Sequence, residues 1–230
     1  MNLYALIGLC FLPVVVLLSF FIFYVDGKKF YLYLISIALA IVAVIPASFI
    51  QFCAAKFSFF SADTFISLLL GSLVLNGVVE ESVKCGFECI IPRKNISFRL
   101  FFCCILLFGL TAGSFESIVY TLNKIQFDVS HMGHDAAVKL IFRRMISAQV
   151  IHVFCAALSG FFVWNLGKGV LKVRAVLFAI ILHGMYDFFM SFGKHFKFFA
   201  FAAIILALIE IRQLYKETKA PEKASENENK

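Results

Sequence analysis

The stretch Asn76-Gly77-Val78-Val79-Glu80-Glu81-Ser82-Val83-Lys84-Cys85-Gly86-Phe87-Glu88 lies inside an otherwise apolar run, and its reading decides how the rest of the chain is read. An ionised side chain at the centre of a bilayer costs at least ~2.5 kcal/mol even on a lenient insertion scale, so adjacent acids there need a reason. Wound as a helix, Ser72, Asn76, Glu80, Lys84 and Glu88 recur every fourth residue and form one polar stripe, with Glu81 about 100° round from Glu80. Such a stripe must face protein or water rather than lipid. A Glu80–Lys84 pair at i,i+4 is enough to glue this helix to a neighbour, but it leaves Glu81 unexplained.

The surroundings make the membrane reading firm. The 230 residues are 62% hydrophobic and 15% charged, whereas soluble domains are ~45–50% apolar; the mean hydropathy is +0.93. About 20 apolar residues span the hydrocarbon core, which predicts an all-α, polytopic integral membrane bundle of seven helices near 3–25, 30–52, 64–91, 98–122, 138–165, 173–192 and 198–215. These form a single transmembrane domain over residues 1–215, with its motif-bearing core at 64–192. Residues 216–230 are charged, contain Pro221 and lack apolar periodicity, so they are expected to form a disordered cytoplasmic tail. The first segment has no basic n-region and no small-residue cleavage site and is expected to be kept as a helix. Pro46 is expected to bend the second helix.

The formal charge of +7 does not point to nucleic acid, because the basic residues fall between apolar segments and not on a basic, aromatic-interleaved face. Distributed over the two sides of seven spans, 13 of the 21 Lys and Arg lie on the side of Lys28, Arg93, Lys172 and the tail, against seven on the side of Lys56, Arg143, Arg144 and Lys197. The positive-inside rule then puts the N-terminus outside and the C-terminus in the cytoplasm. The seven cysteines are scattered through apolar segments without CxxC pairs and read as small packing residues. No internal repeat is visible, which disfavours transporter folds built from duplicated halves.

Four polar islands sit at membrane depth. The third helix carries the opening stripe, and its Gly77 and Gly86 are expected to admit another helix. The fourth places Gly109, Gly113, Glu116 and Tyr120 on one face, Glu116 being the shallowest acid. The fifth holds His152 with Gln149, Ala156, Ser159 and Gly160 along one side. The sixth puts His183 and Asp187 one turn apart, a spacing at which a carboxylate fixes an imidazole tautomer. At 1.5 Å rise per residue, Glu80 and His183 lie about 15 Å from the cytoplasmic end and His152 about 20 Å, so they can meet near mid-membrane. His131-Met-Gly-His134-Asp135, in an aqueous loop, is read as incidental and not as a metal site. The Asn95-Ile-Ser97 sequon is uninformative in a cytoplasmic turn.

Two carboxylates, two histidines and an assisting Asp are the parts needed to activate water and stabilise an oxyanion. The set Glu80-Glu81-x-x-Lys84, Phe115-Glu116-x-x-x-Tyr120, His152 ahead of Gly160, and His183-x-x-x-Asp187, on successive membrane helices from about residue 76 to 190, resembles the PrsW family of intramembrane proteases. That family is in turn similar to the CAAX prenyl endopeptidase and bacteriocin-processing superfamily. The resemblance implies a peptidase of the bacterial cytoplasmic membrane that cuts a membrane-anchored protein, the family's known role being site-one cleavage of a single-span anti-sigma factor. It implies that Glu80 and Glu81 supply the water-activating base and its partner and that Lys84 tunes them. His152 and His183 bind metal or stabilise the oxyanion, and Glu116 and Asp187 orient or ligate. A zinc ion on His152, His183 and Glu116 suits this set, and a metal-free glutamate mechanism is the alternative. A proton- or ion-coupled transporter and a non-catalytic scaffold are the rival classes.

Overall fold

In a computed structural model that describes residues 3–61, 64–127, 133–191 and 196–228, every regular element is helical. Seven helical spans are long and apolar enough to cross a membrane: Leu3–Tyr24, Gly27–Ala54, Phe65–Glu88, Phe98–Ile125, His134–Leu166, Val173–Ser191 and Lys197–Thr218. These are the seven spans that hydropathy predicts. We label the helices α1 (Leu3–Tyr24), α2 (Phe30–Ala54), α3 (Phe65–Glu88), α4 (Phe98–Phe127), α5 (His134–Met145), α6 (Ala148–Leu166), α7 (Val173–Ser191) and α8 (Lys197–Glu228). Pro46 lies within α2.

Two departures from ideal helix shape the interior. The fifth span is broken between Met145 and Ala148 into α5 and α6. In α3, α-helix over Phe65–Leu70 gives way to π-helix over Gly71–Glu80 and returns to α-helix over Glu81–Glu88. The i→i+5 winding of a π-helix is rare and tends to occur at functional sites. Here α-helical geometry resumes at the adjacent acids, so that Lys84 stands at i+4 from Glu80 and i+3 from Glu81 and reaches both.

The bundle is built around α4 and the α5–α6 span, whose apolar windows are 78% and 72% buried against 22–39% for the other five. Small residues allow this centre to close. A Cβ on Gly109 would lie 2.6 Å from Cβ of Ala156, and one on Gly113 would lie 2.9 Å from Cδ2 of His152, so α4 and α6 meet almost backbone to backbone. The α3–α7 contact is equally close: a Cβ on Gly77 would lie 2.5 Å from the Ile180 carbonyl oxygen. Gly86 does not share this role. It is exposed with nothing near it, because the polar stripe turns the opposite side of α3 outward.

Loops that should share a side do so. Lys29 Nζ, between α1 and α2, donates to the Asn95 carbonyl between α3 and α4 at 3.1 Å. Arg93 donates to the Val163 carbonyl near the end of α6 at 2.7 Å. Lys172 and Arg174 at the start of α7 pair with Glu217 in α8, each at 3.2 Å. The α8 backbone stays helical to Glu228, through the segment from Lys216 that composition reads as a disordered tail. Extending an existing helix avoids the nucleation cost.

Candidate active site

The π-to-α junction of α3, the close α4–α6 contact and the His-x-x-x-Asp face of α7 bring all four polar islands together. Glu81, Lys84, His152 and His183 are buried, each with at most 3% of its surface exposed. Glu81 Oε1 accepts from Lys84 Nζ at 2.8 Å and from His183 Nδ1 at 2.6 Å. Lys84 Nζ also lies 3.2 Å from Glu80 Oε2 and 2.8 Å from His152 Nδ1. An ammonium has only donors, so His152 Nδ1 accepts and Nε2 carries the ring proton, which it donates to Glu116 Oε2. By the same logic His183 donates from Nδ1 to the Glu81 carboxylate, leaving Nε2 3.4 Å from Asp187 Oδ2. The two imidazoles stand edge to face with centroids 4.7 Å apart.

The sequence-selected residues therefore converge, and Glu116 reaches the cluster through His152 despite its shallow place in α4. Ligand atoms of Glu80, Glu81, His152 and His183 all lie within 4.8 Å of one another. Glu116 stands outside that set, its two oxygens engaged by Arg144 and His152. Glu88, one turn beyond Lys84, is fully buried but makes no hydrogen bond to the cluster. His131 lies outside the described residues; its companions His134 and Asp135 are exposed at the start of α5.

Two participants carry no signal of their own in the sequence. Gln51 in α2 donates to Glu80 Oε1 at 2.7 Å and to Asn76 Oδ1 at 3.3 Å, and Asn76 donates to Asp187 Oδ2 at 2.8 Å, forming a polar rail from α2 through α3 to α7. Arg144, at the end of α5, pairs with Glu116 Oε1 at 2.8 Å. In the sequence it reads as one of two topology-setting arginines, and the break after Met145 removes any periodicity linking it to His152.

A cavity of about 460 Å³ leads to this cluster, lined by Gln51, Asn76, Glu80, Glu116, Arg144 and Asp187 among others, with Arg143 and Lys197 also on its wall. A void of about 40 Å³ continues inward between Glu80, Lys84, Glu116 and His152, larger than the roughly 10–15 Å³ that one water requires. Glu80 thus lies on the wall, whereas Glu81 is sealed behind it. The donors fit a divalent cation on two counts. Glu81 Oε2 is buried with no hydrogen-bond partner among the described residues. Counted as ionised, the four carboxylates Glu80, Glu81, Glu116 and Asp187 face the two cations Lys84 and Arg144, and a divalent ion supplies the missing charge.

Among known families, the model "PrsW family intramembrane metalloprotease" covers residues 28–210 of this chain. Neither the curated proteins nor the solved structures give a match. The matched span takes in α2 through the first part of α8, to Glu210, and every residue of the cluster. With four polar islands closed into one buried carboxylate–histidine site inside seven membrane spans, the chain belongs to the PrsW family of intramembrane metalloproteases.

Proposed function

We propose that this protein hydrolyses a peptide bond in a membrane-anchored protein within the cavity bounded by α2, α3, α4 and α7, using water activated by Glu80. The observation that carries the reading is the gathering of Glu80, Glu81, His152 and His183 within 4.8 Å, with Glu80 and His152 lining a water-sized void. An extended substrate segment in the cavity presents its carbonyl to the donors at the floor. Glu80, the adjacent acid on the wall, takes a proton from water and returns it to the leaving amine. Lys84 offers positive charge and N–H groups to the developing oxyanion, and the histidines, whose N–H groups point at Glu116 and Glu81, hold those carboxylates in place. Glu81 orients Lys84 and His183, while Asp187 and Asn76 steady the α7 side.

A zinc ion is the metal we assign, held by His152, His183 and Glu81, with Glu80 at the open position. When bound it supplies Lewis acidity toward water and carbonyl. One observation favours a second, metal-free reading, akin to the glutamate-dependent mechanism of the resembling CAAX prenyl endopeptidases. The Lys84 ammonium lies within 3.2 Å of Glu80, Glu81 and His152, an internal cation on the same donors. Metal analysis of purified protein separates the two: stoichiometric zinc that falls in His183→Ala supports the first, and full activity without metal supports the second.

The lysine and arginine distribution supports an N-terminus outside and a cytoplasmic C-terminus, and the family resemblance suggests a bacterial inner membrane. The cavity wall bearing Arg143, Arg144 and Lys197 then faces outward, as suits a first cut in the outer juxtamembrane part of a single-span anti-sigma factor. The test is co-expression with candidate single-span proteins, comparing wild type with Glu80→Gln, Glu81→Gln and His183→Ala. Cleavage lost in all three supports the assignment; cleavage at the wild-type rate in correctly inserted variants removes it.

A further inference from the structure

Arg144 belongs to none of the motifs that mark the family resemblance, yet it is the most tightly held cation on the cavity wall. Its side chain is 12% exposed. Nη2 pairs with Glu116 Oε1 at 2.8 Å, Nε donates to Ser117 Oγ at 3.1 Å, and the guanidinium lies over the Tyr120 ring, 4.3 Å from its centroid. Three contacts on successive positions of one face of α4 fix both the place and the plane of the group, as only a planar, multi-donor cation allows. Arg143, its neighbour in sequence, is exposed and has no ion pair among the described residues.

What Arg144 holds matters more than how it is held. Glu116 is 36% exposed to the cavity, and freed of its partner its carboxylate can swing toward water or onto the donor cluster. With Oε1 clamped, Oε2 is presented to His152 Nε2–H and accepts its hydrogen bond. This leaves Nδ1 of His152 as the unprotonated nitrogen that faces Lys84 and the cluster. A carboxylate behind an imidazole fixes tautomer and ring orientation, and loss of such a partner typically costs about 10- to 100-fold in metal affinity or activity. We propose that Arg144 is a positioning residue of the site: it clamps Glu116 behind His152, so that His152 turns Nδ1 inward and Glu116 stays out of the ligand set. The proposal rests on the protease reading for its consequence in catalysis, though not for the Nε2–H hydrogen bond it predicts.

The test uses the full chain in lipid nanodiscs with ¹⁵N-labelled histidine, the His152 signal being assigned by its loss in His152→Gln. Wild type is expected to show an Nε2–H proton shifted downfield by its bond to the Glu116 carboxylate. Arg144→Gln is expected to move that proton upfield as the carboxylate swings away, Lys84 on Nδ1 keeping the Nε2–H tautomer itself, Arg144→Lys to restore it in part, and Arg143→Gln to leave it unchanged. With a cleaved single-span substrate, Arg144→Gln is expected to lower turnover about 10- to 100-fold, with Arg144→Lys between. An unmoved Nε2–H signal in Arg144→Gln overturns the proposal, as does an equal shift in Arg143→Gln. Should Arg144→Gln fail to insert, Ser117→Ala removes one anchor only: a smaller shift of the same sign supports the clamp, and an unmoved signal overturns it. A wild-type chain that shows the carboxylate-bonded Nε2–H, with the shift in Arg144→Gln, but cleaves no substrate counts against the protease reading and leaves the clamp standing.

Discussion

At the residue scale, the two adjacent acids have separate positions and should fail differently. Glu81 is fully buried between Lys84 and His183, whereas the Glu80 side chain is 14% exposed at the cavity. Glu81→Gln leaves a buried ammonium with one partner fewer, and breaking a buried pair costs about 3–5 kcal/mol. Glu80→Gln leaves Lys84 paired with Glu81 and should cost under about 1 kcal/mol, as for a pair near the wet wall. Both substitutions should abolish cleavage, but thermal unfolding in detergent should show a large drop only for Glu81→Gln. Equal drops would mean that the two acids are not divided between wall and interior. The sequence marks both residues through the cost of charge in hydrocarbon. It does not say which one meets water, because that depends on what packs behind each.

At the element scale, the site depends on how closely α4 and α3 approach their partners. Gly113→Ala places a methyl group 2.9 Å from His152 Cδ2, so the ring must move by tenths of an ångström. Overpacking of this kind costs about 1–3 kcal/mol, and displacement of the ring should lower cleavage by at least tenfold. Gly77→Ala, facing the Ile180 carbonyl at 2.5 Å, should lower the melting temperature of the α3–α7 half. Gly86→Ala meets open space and should match wild type in both assays, which makes it the control. The Gly109, Gly113 and Glu116 face is legible as a stripe in the sequence. The π-helical turn of Gly71–Glu80 is not legible there; in the structure it lies where Gly77 and Gly184 let α3 and α7 approach closely, a contact between separate helices that no local pattern reports.

At the scale of the whole molecule, family membership sets aside the transporter and scaffold readings, and the cavity defines a direction of access. Its walls hold Ser48 of α2, Ser191 of α7 and Lys197 of α8 together with Arg143. A cysteine introduced at Ser48 should therefore react with a membrane-impermeant maleimide added on the Arg143 side, and a cysteine at the fully buried Ser159 should not. Labelling of Ser48→Cys only from the side of Lys28 and Arg93 would reverse the direction of access. In the oriented cell membrane the same experiment reports whether that face is outside, as the positive-inside count predicts.

The spans, their order and the identity of the charged residues within them were determined by the sequence alone. Twenty-residue apolar lengths and the cost of burying charge are local properties, readable from Leu3–Tyr24 to Lys197–Thr218 and at Glu80, Glu81, His152, His183 and Asp187. The tertiary structure decided which of these groups touch. It brought in Gln51 and Arg144, residues 29 and 28 positions from their acidic partners Glu80 and Glu116, and it put Glu116 behind His152 while leaving Glu88 aside. Such contacts depend on helix rotation, on a break after Met145 and on close glycine crossings. No periodicity within a single segment encodes the angle at which one helix meets the next.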